Sequence, residues 1–455
     1  MSGNLPHAAS YRDPSGFIFV KDGRVYRQVD RSYEADYELL MRSGLYQKLT
    51  EAGLLIPHIE VQEPIGLSPS SYKILQPEQV AFISYPYEWS AAQLKDAALL
   101  TLQVLEIAMA HGMILKDASA FNIQFHNGRL IFIDTLSFAR YDEAHPWIAY
   151  RQFCEQFLFP LYLTYYLQTD MQRCLSIYPD GIPVALTARL LPARSRFSLG
   201  TWLHVYLQER VSKGAAGKDN RSNKAVFNKK KLANLVRHLQ SEIGRLSLKS
   251  QGPSTWSNYY RETILDQQYL QEKEKIFRAW MGAIDFRSAL DVGANDGYFS
   301  RILAGTGKPV IAIDSDHQCI ESLYLSKSHI LPLCLDIANP SPAIGLLNKE
   351  RDSFLQRVDA DLVTALAIVH HLVLGRNIPL DAVAGLLAAL TQQYLIVEFV
   401  PLADPKAQEL IRNKSRYHEP YDETSFEDSC KQYFNIEKRS TVPGTKRILY
   451  QMKKI

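Results

Sequence analysis

The chain has 455 residues, 46% hydrophobic and 22% charged, enough for two or three domains with full cores. Those proportions exclude a disordered, collagen-like or coiled-coil protein. A formal charge of +3, from 51 basic and 48 acidic residues, excludes a chain built as a whole to bind nucleic acid.

The five cysteines, Cys154, Cys174, Cys319, Cys334 and Cys430, form no Cys-x-x-Cys pair. Their odd number argues against a disulfide framework, so free thiols in a reducing compartment are expected, and with them a cytoplasmic location. The first residues, MSGNLPHAASYRDPSG, carry no apolar run of the signal-peptide kind.

In chain order, residues 15–85 hold the strand-like runs GFIFV, RVYRQV and, after Pro77, EQVAFISYPY. A helical pattern, YEADYELLMRSGLYQKLTEAG, interrupts them. From Ala91 to Glu209 the chain reads mostly helical, with one strand pair around IQFHNGRLIFID. Its most hydrophobic stretch, FCEQFLFPLYLTYYL at 153–167, is short for a membrane span and contains Glu155, Gln156 and Pro160, so a buried helix is expected.

Within this half, Asp117 precedes Asn122 by five residues, and Asp134 ends an apolar strand. An Asp-x-x-x-x-Asn loop with a later Asp resembles the protein-kinase-like phosphotransferase fold, over about residues 15 to 248. The resemblance implies an α+β domain, a catalytic base at Asp117, and Mg²⁺ held by Asn122 and Asp134. Departures are evident. Leu115-Lys116 stand where His-Arg is usual, and Asp134-Thr135-Leu136 replaces Asp-Phe-Gly. No Gly-rich loop precedes Val25, and Lys21 and Arg27 are poor stand-ins for the missing lysine. A degenerate domain is therefore expected, a scaffold that binds ATP weakly or not at all, with an active phosphotransferase as the alternative. Its three polar side chains are expected to converge so that Mg²⁺ bridges Asn122 and Asp134.

Between Glu209 and Lys249 there are eleven Lys or Arg and three Asp or Glu, a local charge of +8. This reads as a solvated basic loop, 209–249, ending in a helix, KLANLVRHLQSEIGRL; an anionic partner is the alternative. The domain boundary falls near Gly252-Pro253, giving domains of 1–250 and 251–455.

Beyond about Arg261 strands and helices alternate, the pattern of a doubly wound parallel α/β sheet. Five apolar runs each lead to a polar residue: Asp291, Asp314, Asp336, the pair His370 and His371, and Glu398, at intervals of 22 to 34 residues. In an open parallel sheet such strand ends line one ligand crevice. The first turn reads Asp291-Val-Gly293-Ala-Asn295-Asp296-Gly297. Glycines allow a tight turn and close approach of the backbone to a ligand. Asn295 stands where a dinucleotide loop has its second glycine, followed by Asp296, and a carboxylate in the loop repels pyrophosphate. It suits a ligand bearing an ammonium and a sulfonium. Asp314 is placed to accept from a ribose diol, and Asp336 from an adenine amino group.

Asp291-x-Gly293-x-x-x-Gly297, AIDSD, CLDI and Asp361-LVTALAIVHHL together resemble the class I S-adenosylmethionine-dependent methyltransferases, over about Arg261 to Ile455. The tail FNIEKRSTVPGTKRILYQMKK resembles that family's closing antiparallel hairpin. The combination with ALAIVHHL, IVEFVP and RILYQM is similar to a bacterial group of nodulation-protein, NoeA-like, methyltransferases. The resemblance implies a Rossmann-like sheet with S-adenosylmethionine as cofactor. Asp291, Gly293, Asn295, Asp296, Gly297, Asp314 and Asp336 would hold it. His370 and His371 are the candidate bases, with helix capping or cofactor packing as the alternative; a metal held by these two and Glu398 lacks ligand spacing on one element. Glu398, Trp256 and Tyr260 are the candidate acceptor-binding residues, with Tyr259 and the stretch PLADPKAQELIRNKSRYHEPYDETSFEDSC beside them; ordinary packing is their alternative role. A small-molecule or saccharide acceptor is expected, with RNA as runner-up. An adaptor built from degenerate enzyme folds and a bifunctional phosphotransferase–methyltransferase remain open alternatives.

Overall fold

The computed structural model describes residues 6–62, 69–215, 228–248, 267–412, 414, 416 and 420–455. The chain divides into two compact units, Met1–Gln251 with Ala343–Asp352, and Gly252–Pro342 with Ser353–Ile455. The segment Ala343–Asp352 thus groups with the first unit, although the sequence division placed it in the second.

The first unit opens on an antiparallel sheet of β1 (Gly16–Lys21), β2 (Arg24–Asp30), β3 (His58–Val61) and β4 (Ser71–Pro77), in the order β1-β2-β4-β3. Asp22 and Gly23, both at positive φ, make the tight β1–β2 turn. The helical pattern that follows is two helices, Glu34–Arg42 and Leu45–Glu51, divided at Gly44 with φ 77°. EQVAFISYPY is not a strand. Phe82 and Tyr85 are buried, which explains the apolar run. Ser84 there exchanges hydrogen bonds with the Gln124 side chain, its N–H donating at 2.9 Å and its carbonyl accepting at 3.0 Å, in place of a strand ladder.

A long helix, Ala91–Ala110, begins with Ser90 and Gln93 capping each other's backbone N–H. It packs against the basic helix Lys229–Arg245, whose Leu232, Val236, Leu239 and Ile243 recur every three or four residues and are buried. Short strands β5 (Met113–Leu115), β6 (Ile123–His126), β7 (Arg129–Phe132) and β8 (Phe138–Arg140) frame the Asp117–Asp134 region. Residues 150–167 are helical, and Phe153, Leu158 and Leu161 are fully buried. Among the described residues no helix is long and apolar enough to cross a membrane.

The second unit is built on a seven-stranded sheet in the order β11-β10-β9-β12-β13-β15-β14. The strands are β9 (Ala289–Val292), β10 (Val310–Asp314), β11 (Ile330–Cys334), β12 (Ala360–Ala365), β13 (Thr391–Phe399), β14 (Phe434–Thr441) and β15 (Ile448–Lys454). β9 to β13 are parallel, and β15 runs antiparallel between β13 and β14. β9 to β12 are buried along most of their length, as expected for a sheet covered on both faces. Helices Tyr298–Ala304, His317–Leu325 and Leu380–Leu390 cross between the parallel strands. The order reverses between β9 and β12, which makes this the switch point at which open α/β sheets bind ligands outside the C-terminal strand ends.

Candidate cofactor and acceptor site

Three expected strand endings move in the structure. Asp291 lies within β9. Asp336 stands two residues past β11. His370 stands five residues past β12, beyond Leu366, Ala367 and Ile368. Asp314 does end β10, and Glu398 is the penultimate residue of β13.

The β9 turn is set by backbone chirality. Gly293 and Gly297 have φ of 73° and 83°, values that L side chains adopt only at a cost. Space is also closed: a Cβ on Gly293 would fall 2.9 Å from Ile368 Cδ1, and one on Gly297 2.6 Å from Leu323 Cδ1. Asn295, itself at φ 51°, donates its backbone N–H to Asp314 Oδ2 at 2.8 Å. The other carboxylate oxygen, Oδ1, accepts from the Asp316 N–H at 2.8 Å. Burial raises the Asp314 pKa, and these two amides oppose the rise. Asp296 is partly exposed and accepts from the Tyr298 N–H at 3.2 Å.

The carboxylates of this turn fit the expected cofactor. Asp314 is partly exposed, and each of its oxygens accepts one backbone amide, which leaves a lone pair on each for a diol. Asp296 keeps a carboxylate within the same loop. Asp291 is fully buried and accepts from Ser300 Oγ at 2.6 Å and Thr364 Oγ1 at 2.7 Å, so it braces the turn from inside. Asn295 is likewise buried, its Oδ1 accepting from the Asp296 N–H. Asp336 forms an ion pair with Arg376 at 2.6 Å, a partner the sequence did not signal because forty residues separate the two.

His370 and His371 lie ring to ring, centroids 4.1 Å apart. Burial lowers the pKa of both, His371 to about 4 and His370 well below its ordinary value, with His371, Arg447, Lys273 and Lys406 adding repulsion at His370. Both are neutral imidazoles at pH 7. His370 is fully buried, and neither of its ring nitrogens has a hydrogen-bond partner among the described residues. A buried polar atom left this way costs about 1–3 kcal/mol, a cost that packing alone does not require.

Glu398 is fully buried in a network that no local pattern announced. Lys273 Nζ lies 2.5 Å from Oε2, the Tyr269 hydroxyl donates to Oε1 at 2.6 Å, and Arg447 Nη1 lies 3.7 Å from Oε1. Arg447 also grips Asp404 through Nε and Nη2, at 2.8 and 3.1 Å. Burial pushes the Glu398 carboxyl up, but Lys273 and Arg447 outweigh it and hold it below the ordinary range. Committed to these partners, Glu398 fixes the edge of the site from within. Trp256, Tyr259 and Tyr260 lie outside the described residues.

In the first unit, Asp117 accepts from the Ser119 N–H at 3.0 Å and from Gln152 Nε2 at 2.8 Å. Asn122 Nδ2 donates to Ser137 Oγ at 3.2 Å, and the Ser137 hydroxyl donates to Asp134. Asp117 in turn feels a hydrogen bond from the Asn122 side chain and the charge of Asp134, so the three expected residues share one polar cluster. Asp134 Oδ1, however, carries Arg27 Nη1 at 2.6 Å, so a guanidinium already stands at the oxygen expected to meet Mg²⁺. Among the described residues no group of three or more His, Cys, Asp or Glu side chains is arranged to hold a metal ion.

Fold and site define the second unit as a doubly wound α/β domain with a glycine turn at its switch point, closed by an antiparallel hairpin. The nodulation protein NoeA of Rhizobium meliloti (strain 1021) is 30% identical to this chain over 456 residues, covering 97% of this chain and 95% of that protein. The chain belongs to the NoeA family. No family model matches it. Among solved structures it is similar to the N-methyltransferase NodS of Bradyrhizobium japonicum WM9, at 14% identity over 42% of this chain and 98% of that one, with a TM-score of 0.31. Magnesium protoporphyrin IX methyltransferase (ChlM) of Synechocystis PCC 6803, with bound SAH, is similar at 15% identity over 44% and 92%, TM-score 0.32. The bifunctional kinase-methyltransferase WbdD is similar at 17% identity over 45% and 44%, TM-score 0.31.

Proposed function

We propose that the second unit is an S-adenosylmethionine-dependent methyltransferase acting on a small-molecule or saccharide acceptor. The observation that carries this reading is the Asn295–Asp314 contact, made by a turn that Gly293 and Gly297 alone permit, at the switch point of the sheet. When bound, the cofactor supplies a methyl group already activated by its sulfonium. Asp314 accepts from the ribose diol, and Asp296 offers negative charge toward the ammonium end. Asp336 and Arg376 border the adenine. His371, neutral at working pH, takes the proton of an acceptor hydroxyl or amine on a ring nitrogen. His370 packs against it, ring to ring, and its two ring nitrogens, unpartnered among the described residues, remain available to an acceptor or cofactor group.

The test is calorimetry with S-adenosylhomocysteine. Micromolar binding to the wild type, lost in Asp314→Ala while circular dichroism stays unchanged, supports the reading; absence of binding to folded protein overturns it. Mass-spectrometric comparison of metabolites and glycans with and without the gene would then identify the acceptor.

For the first unit we propose a scaffold or substrate-presenting role rather than phosphotransfer. The Arg27–Asp134 ion pair favours it, because the cation neutralises the carboxylate that phosphotransfer needs for metal.

A further inference from the structure

We propose that the first unit carries an interfacial membrane-binding face, formed by the helix Leu199–Ala215 and the turn before it, that docks on an anionic lipid surface. Gly200, Thr201, His204 and Val205 seat this helix inward. Its other side is apolar and bare. Leu199 is 65% exposed, Trp202 46%, Leu207 37% and Val211 62%, and Phe197 just before the helix is 92% exposed. Helix geometry makes this one face. Leu199 and Trp202 are three apart and Leu207 and Val211 four apart, both same-side spacings in an α-helix. Trp202 and Leu207 are five apart, which an α-helix would turn away from each other. The segment Trp202–Leu207 is π-helical, hydrogen-bonded at five-residue spacing, so they come onto the same side.

Charge selects the occupant. From Arg189 to Lys213 there are five Lys or Arg and a single acidic residue, Glu209. Arg194, Arg196 and Arg210 are exposed on this segment, while the exposed Lys213 is paired with Glu209 at 2.5 Å. The guanidinium groups of Arg194 and Arg196 lie 6.0 and 5.4 Å from the rings of Tyr166 and Tyr206. An amphipathic helix with Trp, Phe and Leu on one side and Arg or Lys at its edges binds a bilayer in the headgroup plane, its basic residues drawn to anionic lipid. A two-fold contact with a second copy would press this basic rim on itself. Nucleic acid would answer the charge but gain little from Leu199 and Val211.

The experiment is co-sedimentation of the full chain with phosphatidylcholine vesicles, with and without about one-third phosphatidylglycerol. Binding to the anionic vesicles is expected, weakened by salt and much reduced without phosphatidylglycerol. The double variant Phe197→Ser/Trp202→Ser should lose about ten-fold or more. Arg194→Gln/Arg196→Gln should lose about 25-fold on anionic vesicles, roughly five-fold per charge. All four positions are exposed, so circular dichroism should be unchanged. The proposal is overturned by no pelleting with anionic vesicles at low salt, by equal binding of the Phe197→Ser/Trp202→Ser variant, or by a dimer in sedimentation velocity that this variant dissolves. Binding to single-stranded RNA but not to vesicles would overturn it in favour of nucleic acid. Loss of S-adenosylhomocysteine binding would leave this proposal untouched, since no residue of the second unit enters it.

Discussion

Arg27 Nη1 meets Asp134 Oδ1 at 2.6 Å in the first unit, with both side chains largely buried. Removing one member of such a pair strands the other in low dielectric. Arg27→Ala should therefore lower stability by about 2–3 kcal/mol, read from urea denaturation, with Arg27→Lys closer to wild type. Titration of the full chain with ATP and Mg²⁺ should show no tight binding. Tight binding abolished by Asp134→Ala would make the protein a bifunctional phosphotransferase–methyltransferase.

Lys273 and Glu398 present the same physics more severely, because both are fully buried. Glu398→Gln removes the only carboxylate that faces Lys273 within ion-pair distance among the described residues. A loss of about 3–5 kcal/mol is expected. A stable Glu398→Gln variant that loses only acceptor affinity would instead return Glu398 to a binding role.

Buried histidines make stability depend on pH. Burial lowers His58, His204 and His371 each to about 4 in the folded chain, against an ordinary 6.5. Between those values the unfolded chain binds protons that the folded chain refuses. Stability is thus full above pH 6.5 and is lost as pH falls toward 4. At pH 5 each histidine should cost roughly 2 kcal/mol relative to pH 7. Urea midpoints at the two pH values check this. His58→Gln, which has no proton to take up there, should show a smaller fall.

Gly297→Ala should cost about 1–3 kcal/mol, from the left-handed backbone and from the crowding of Leu323. Because the turn also aims the Asn295 amide, S-adenosylhomocysteine affinity should drop ten-fold or more by calorimetry. An unchanged affinity would remove the turn from the site.

His371→Gln should lower kcat by about 10²–10⁴-fold if the ring takes the acceptor proton, with cofactor affinity preserved. In the range where the enzyme stays folded, the wild-type kcat/KM should show no inflection at 6.5, since His371 protonates near 4. A fall centred on 6.5 would point to a different base.

Much of the second unit was legible in the sequence, because its signals are local. A parallel strand buried on both faces writes a continuous apolar run, and a left-handed turn demands glycine, so the existence and order of β9 to β13 and the turn Gly293–Gly297 could be read, although Asp291, Asp336 and His370 do not end their strands. Asp314 at the end of β10 followed from the same spacing. The tertiary structure decided which polar groups are free. Lys273, Glu398, Asp404 and Arg447 are scattered over 175 residues, and each alone reads as a surface charge. Only folding shows them neutralising one another inside the unit, as it shows Asp291 spent on Ser300 and Thr364, and Arg27 placed on Asp134. EQVAFISYPY failed for the converse reason: apolar content records burial, whereas a strand needs a neighbour's backbone, and here a Gln124 side chain took that place. The determining difference is that backbone conformation is chosen largely by neighbours in the chain, while the charge and accessibility of a side chain are set by whichever groups the fold brings within a few ångströms.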